Sequence, residues 1–422
     1  MSVRVIVGAQ WGDEGKGKMV DYFAENADMV VRFQGGDNAG HTVINEYGTF
    51  KTHLVPSGIF NGCICLCNTG MVVNPDELLL EISEIQKAGV NTDNVLVSSK
   101  ATILMPYHIT FDKLKEAGKG SVGSTKRGIA YAYQDRSRRL SLRFEDLSDM
   151  DYVSERLDAI LQTINTELKA FGAEPCDKDE LMKKLAMWSL RLKDRIVEPV
   201  SFVNKAINEG KNIIFEGQLG AMKDIDLGIF PYVTSSNPVA AYAAVGGGFP
   251  HNKITYITGI MKAFSSAVGK GPFPTEMPDD EAVRFRGTGE KADDEFGART
   301  GRARRLGWPD LVTVKYSAII NGFTDIALMK IDKLDGFKEI KVCVGYKLDG
   351  KEIDYMPSTR ELERVECVYK TISGWQADTT KIRKIADLPE NAKAYIKLIE
   401  EVTGIPVKYV GVGPEREQLA IL

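Results

Sequence analysis

Apolar residues along this chain fall into short runs set apart by longer mixed stretches. The β-branched runs Val3–Val7, Met29–Phe33, Val95–Ser98, Asn212–Phe215, Ile254–Ile260 and Ile326–Ile331 predict short strands, mostly buried on both faces. Helical stretches are predicted over Lys16–Asn26, Pro75–Ala88, Pro106–Ala117, Tyr152–Ala170, Lys178–Arg195 and Pro309–Asn321. This alternation predicts an α/β fold: a large, mainly parallel twisted sheet flanked by helices, P-loop-NTPase-like, in a single domain over 1–422. Residues 150–210 are nearly all helical and predict a helical insertion beside the sheet. Four glycine-rich polar segments fit neither period: Gln34–His41, Gly118–Arg139, Gly217–Asn237 and Gly287–Gly307. They predict a large site built from loops at one edge of the sheet.

Composition narrows the partners. The formal net charge is −4, which offers no attraction for a nucleic-acid backbone or an anionic membrane. No apolar run resembles a signal peptide or a membrane span, and the expected location is cytoplasmic. Alternation puts Cys63, Cys65 and Cys67 on one strand face; without paired spacing or nearby histidines they read as core residues in a reducing compartment.

The candidate chemistry begins at "GAQWGDEGKGK". A strand, a glycine turn and a helix start aim backbone N–H groups at an anion. Lys16 follows Gly15 where a phosphate-binding lysine belongs. The strict phosphate-loop pattern nevertheless fails: Gln10 replaces its first glycine and Gly17 its hydroxyl residue. Asp13 faces either a magnesium ion or, as a general base, a second substrate. Glu14 is expected in a solvated or helix-start position. In "QGGDNAGHTV", Asn38 is a neutral polar group and His41 a titratable one, able as a cation to offset charge on a leaving phosphate. "ARTGRARRLGWPD" sets Arg299, Arg302, Arg304 and Arg305 within seven residues, suited to gripping a small anion. Lys330 and Asp332 end a strand, where a carboxylate can accept from guanine N1–H and its 2-amino group.

The motifs "WGDEGKGK", "GGDNAGHTV", "KTHLVPSGIF", "DIDLGIFPYVTSSN", "GRARRLGW" and "KID" together resemble the adenylosuccinate synthetase family in order and spacing, over essentially the whole chain. The resemblance implies GTP-driven joining of IMP and L-aspartate to adenylosuccinate, with release of GDP and phosphate, the first committed step from IMP to AMP. It implies Asp13 as the base that takes the N1 proton, so that O6 attacks the γ-phosphoryl group. It implies His41 as the acid steadying GDP, and Mg²⁺ held by Asp13 and the Gly40 carbonyl.

Carried over by position, GTP would meet Gly12, Asp13, Glu14, Gly15, Lys16, Gly17, Lys18, Gly40, His41, Thr42 and Arg304 at its phosphates. Lys330, Ile331, Asp332, Gly411, Val412 and Gly413 would border its guanine. IMP would meet Asp13, Lys16, Asn38, Ala39, Gly40, His41, Thr125, Leu219, Thr234 and Arg302. Arg139 would reach IMP across the two-fold interface of a homodimer. Ala298, Arg299, Thr300, Gly301, Arg302 and Arg304 would form the aspartate loop.

The chain departs from the family pattern on the acceptor side. Leu219 stands where the family has a glutamine contacting IMP, with Gln218 one place earlier. Arg299 interrupts the usual aspartate-loop motif. Asp37 replaces a histidine, which puts a carboxylate beside the expected phosphate region. "GSTKRGIAYAY" also differs, while the GTP-side motifs are kept. Two rivals follow: a paralogue joining aspartate to (d)GMP to give 2-aminoadenylosuccinate, and a GTP-binding switch without ligase chemistry. Retention of Asp13 favours IMP over the first, because enzymes of that kind replace this aspartate by a small hydroxyl residue.

Overall fold

The structure is a computed structural model that describes residues 2–118, 123–291, 294–297 and 301–422. Ten strands form one sheet, and all but the last pair in parallel. Across the sheet they run Leu419–Ile421, Val407–Gly411, Asp325–Met329, Tyr256–Lys262, Ser2–Gly8, Asn212–Gly220, Met29–Arg32, Ile64–Cys67, Val95–Ser98 and Ile196–Val197. The central Ser2–Gly8 strand pairs Val3 with Ile213 and Val5 with Phe215 on one side, and Val5 with Ile257 on the other. Val3, Val5 and Val7 are fully buried. Each such side chain contributes about 1.5–3 kcal/mol relative to exposure, which explains why these β-branched runs settle in the middle of the sheet.

The predicted strands all form, Val95–Ser98 with the expected bounds and the others with shifted ends. The Asn212 strand runs on to Gly220, so part of a segment expected to be loop is sheet. Within Gly118–Arg139, residues Ile129–Arg138 form a helix whose alternating Tyr and Ala residues hid its period. Residues 150–210 hold the helices Met150–Ala170, Lys178–Leu192 and Pro199–Asn208, interrupted by the edge strand Ile196–Val197. A separate three-stranded antiparallel sheet, Lys351–Ile353, Glu339–Leu348 and Glu366–Ser373, was not predicted. Its strands are half exposed and carry many lysines and glutamates, which weakens the sequence signal.

Cys63, Cys65 and Cys67 are buried and free, their thiols donating to the Ala24 and Ala27, Pro56 and Leu54 carbonyls. Among the described residues no helix is long and apolar enough to cross a membrane.

Candidate active site

The functional loops leave the carboxyl ends of the parallel strands, where open α/β sheets bind ligands. Residues 9–15 follow the central strand, 33–40 follow Met29–Arg32, and Lys330–Asp332 follow Asp325–Met329. The helix Lys16–Ala24 starts at Gly15, whose left-handed backbone (φ 97°) a side chain would strain.

Two cavities open here. The first, about 860 Å³, is lined by Gly15, Lys16, Gly17, Lys18, His41, Thr42, Arg304, Lys330, Asp332 and Gly413. The second, about 1170 Å³, is lined by Gly12, Asn38, Thr125, Lys223, Tyr232, Thr234, Val268 and Lys270. Asp13, Ala39, Gly40 and Leu219 line both. Asp13 therefore stands at the boundary, on a left-handed backbone with φ 59°. A non-glycine residue held there signals a constraint imposed by the surrounding structure.

The electrostatics of Asp13 come from a network that the sequence left scattered. Arg304 Nε donates to Asp13 Oδ2 at 3.0 Å, and Arg304 also donates to Glu295 at 2.7 Å. Lys262 Nζ and Lys330 Nζ reach the same Glu295 carboxylate at 2.7 and 2.5 Å. Burial works against ionisation of Asp13, but Arg304, Lys262 and Lys16 outweigh it and hold its carboxyl below the usual range. Burial likewise opposes the Glu295 charge, and Lys262, Lys330 and Arg304 override it, leaving this carboxyl well below its usual range. Burial pushes Lys262 down to about 7, against the pull of Glu295.

Glu14 is not solvated. It is fully buried, accepts from the backbone N–H of Gln10 (3.1 Å) and Gly12 (2.8 Å), and pairs with Lys16 at 2.5 Å. It lines neither cavity; it folds the loop and aims Lys16. A Cβ on Gly8 or Gly220 would come within 2.4 Å of its carboxylate, so both neighbours must be glycine. The second carboxylate of the loop thus faces inward, toward the loop's own amides.

His41 differs from the expected cation. Its Nδ1 lies 2.5 Å from Glu216 and 3.0 Å from Arg32. Burial and the Arg32 charge push its pKa down to about 4, against the raising effect of Glu216. The ring is therefore neutral at pH 7, with Nδ1–H donating to Glu216, which is itself held at about 2 against burial, chiefly by Arg32. Among the described residues Nε2, which is buried, has no hydrogen-bond partner.

The remaining predicted residues sort as follows. Asp332 Oδ1 is buried with no hydrogen-bond partner among the described residues, and burial raises its carboxyl pKa. The Lys18 ammonium donates to the Gly413 and Gln418 carbonyls at 2.7 and 2.8 Å, so it braces the Asp332 end of the cavity while also lining it. Ile331 and Val412 are core residues, and Gly411 packs on Met329. Gly12 lines the second cavity, whereas Lys16 and His41 line only the first. Leu219 takes a left-handed backbone (φ 59°) and faces both cavities, while Gln218 is buried beside Gly35. Asp37 is not in the phosphate region: it is fully buried, 3.7 Å from Arg127. Gly301 and Arg302 are exposed and line neither cavity. Arg139 caps the helix Ile129–Arg138, is exposed and lines neither cavity. Ala298, Arg299 and Thr300 lie outside the described residues.

Sequence reasoning missed Glu295, Lys262, Glu216, Asp112 and Lys223. Asp112 accepts from Ser124 Oγ (2.5 Å) and Gly128 N (2.8 Å), fixing the turn that presents Thr125. Glu295 was visible only as part of an acidic stretch, and Lys262 as the polar end of an apolar strand.

A wide parallel sheet with an anion-binding loop and two cavities meeting at one ionised carboxylate suits an enzyme that holds a nucleotide against a second substrate. Comparison with known proteins gives the particular family. The family model for adenylosuccinate synthetase matches residues 5–420. The chain is 53% identical to adenylosuccinate synthetase 1 of Methanosarcina acetivorans, covering all of both chains. It is 44% identical to adenylosuccinate synthetase of Carboxydothermus hydrogenoformans, over 100% of this chain and 99% of the relative. Its structure superposes on fully ligated adenylosuccinate synthetase from Plasmodium falciparum with a TM-score of 0.93 at 34% identity, with both chains wholly covered. A cyanophage S-2L succinoaminodeoxyadenylate synthetase, bound to dGMP and dATP, shares the fold at TM-score 0.60 and 18% identity. The chain belongs to the adenylosuccinate synthetase family.

Proposed function

We propose that the chain joins IMP to L-aspartate with GTP as the phosphoryl donor, giving adenylosuccinate, GDP and phosphate. The observation that carries this reading is Asp13, ionised and shared by both cavities. GTP would fill the first cavity, with Lys16 at its phosphates and Asp332 accepting from guanine N1–H and the 2-amino group. IMP would fill the second, its base toward Asp13.

Asp13 takes the N1 proton and the electrons shift to O6. O6 attacks the γ-phosphorus, and the bond to the β–γ bridging oxygen breaks, releasing GDP. The neutral amine of aspartate then attacks C6 of 6-phosphoryl-IMP, and phosphate leaves with the C6–O6 electrons and takes up the proton that the nitrogen loses. The triphosphate charge favours protonation of His41, opposing burial and Arg32, so that Nε2–H can donate to the departing GDP.

The hard oxygens of Asp13 and of the Gly40 carbonyl, both at the cavity boundary, fit Mg²⁺ completed by phosphate oxygens. Bound there, Mg²⁺ would neutralise phosphate charge. Arg304, paired with Asp13, would then be released to the aspartate carboxylate alongside Arg302. We also assign a homodimer: Arg139 lines neither cavity of its own chain and would serve the partner's IMP. The location is the cytoplasm, which the six free thiols support.

The acceptor with a 2-amino group is disfavoured by the retained Asp13 and by 53% identity to a relative named adenylosuccinate synthetase. A GTP switch would have no use for a base aimed at a purine. The test offers IMP, GMP and dGMP in parallel with GTP, Mg²⁺ and aspartate, and identifies products by mass. Adenylosuccinate from IMP alone supports the reading. Product from GMP or dGMP alone overturns the acceptor, and GTP hydrolysis independent of aspartate and nucleotide overturns the ligase.

A further inference from the structure

The second cavity contains a cation that no motif marks. Lys223 closes the short turn Ala221–Lys223 and lines the cavity beside Thr234. The two are locked together, since Thr234 N donates to the Lys223 carbonyl at 2.9 Å. Lys223 Nζ donates to the Tyr232 carbonyl at 3.0 Å. That bond uses one of three ammonium donors and supplies no countercharge. Among the described residues no carboxylate pairs with Lys223. The charged group that acts on it most is Arg305, itself paired with Glu276; burial and Arg305 push Lys223 down to about 8. A partly buried, carbonyl-tethered cation in a substrate cavity is stabilised by an anion that arrives with the ligand.

Two anions could arrive: the 5′-phosphate of the acceptor nucleotide or a carboxylate of aspartate. The neighbours decide between them. Thr234, Thr125 and Asn38 line the same cavity with hydroxyl and amide donors, and Asn38 Nδ2 lies 3.5 Å from Thr234 Oγ1. Such donors around one cation suit the several oxygens of a phosphate. We propose that Lys223 binds the 5′-phosphate of the acceptor nucleotide, supplying from within the chain a grip on this substrate where Leu219 offers no polar contact. This rests on the acceptor-nucleotide reading of the second cavity.

The test titrates IMP and inosine into the wild type, K223M and K223R by calorimetry, with GTP binding and the KM for aspartate measured alongside. K223M should weaken IMP by about tenfold or more, the scale of a charge-assisted hydrogen bond, K223R should recover most of it, and inosine and GTP should bind all three alike. Equal IMP affinity in K223M overturns the proposal, as does an equal loss for inosine. A raised aspartate KM with unchanged IMP affinity reassigns Lys223 to the other substrate and also overturns it. Should K223M not fold, K223Q gives the same comparison. If the wild type refuses IMP but takes GMP or dGMP, the acceptor assignment falls alone and the Lys223 series is run on the nucleotide accepted. If no monophosphate binds, both fall.

Discussion

Replacing Glu295 with glutamine removes one charge and almost no volume. Its carboxylate is fully buried and lies 2.7 Å from Lys262 and Arg304 and 2.5 Å from Lys330. Glu295→Gln leaves three cations gathered with Asp13 as the opposing charge. Breaking a buried ion pair by removing one partner costs about 3–5 kcal/mol. Two features hold the cost near the low end. Glutamine keeps one acceptor oxygen, and Lys262, already at about 7, can release its proton. The expected loss is about 3 kcal/mol in unfolding free energy at pH 7, read from urea unfolding of wild type and variant.

The pH dependence follows from the depressed Glu295 pKa. Its stabilisation is complete above the unfolded value of about 4.3 and is lost as pH falls through the folded value. Through Glu295 alone the difference between wild type and variant would shrink only in acid; Lys262, which loses the Glu295 charge that holds its proton, makes that difference widen as pH falls from 7 to 6. The variant should also be a poorer catalyst when fully folded. The Glu295 charge raises the Asp13 pKa, so its removal leaves Asp13 a weaker base. A stability loss under about 1 kcal/mol, or unchanged turnover, would refute the role given to this network.

Asp13→Asn should lower kcat by about 10²–10⁴-fold with GTP affinity nearly unchanged in a direct binding assay; near-normal turnover removes the base assignment. Mixing inactive Asp13→Asn with Arg139→Leu should restore activity, because each hybrid dimer holds one intact site. An equal mixture should reach about a quarter of wild type, and no recovery refutes supply of Arg139 across an interface. Lys18 and Lys262 titrate near 7, and Lys223 near 8, in the folded chain. The unfolded chain holds those protons to about 10.4, so unfolding free energy should rise from pH 7 to 9; a fall over that window contradicts the burial argument.

The sequence by itself determined the parallel sheet and the loop cluster at its carboxyl edge. Runs such as Val5–Val7 are buried on both faces, and burial on both faces demands continuous apolar residues that are readable one strand at a time. The glycine loops were readable for a related reason: Gly8, Gly15 and Gly220 are required by local backbone shape or close approach. What only the tertiary structure decided is the electrostatic state of the site. Glu295 lies 282 residues after Asp13 in the chain, yet it sets that base through Arg304 and Lys262. Glu14 sits beside Asp13 but turns inward to Gln10, Gly12 and Lys16. The neutral ring of His41 likewise depends on Arg32 and Glu216, brought together by strand pairing. Burial and Coulomb terms act through space, and the folded sheet sets those distances; chain spacing carries no record of them.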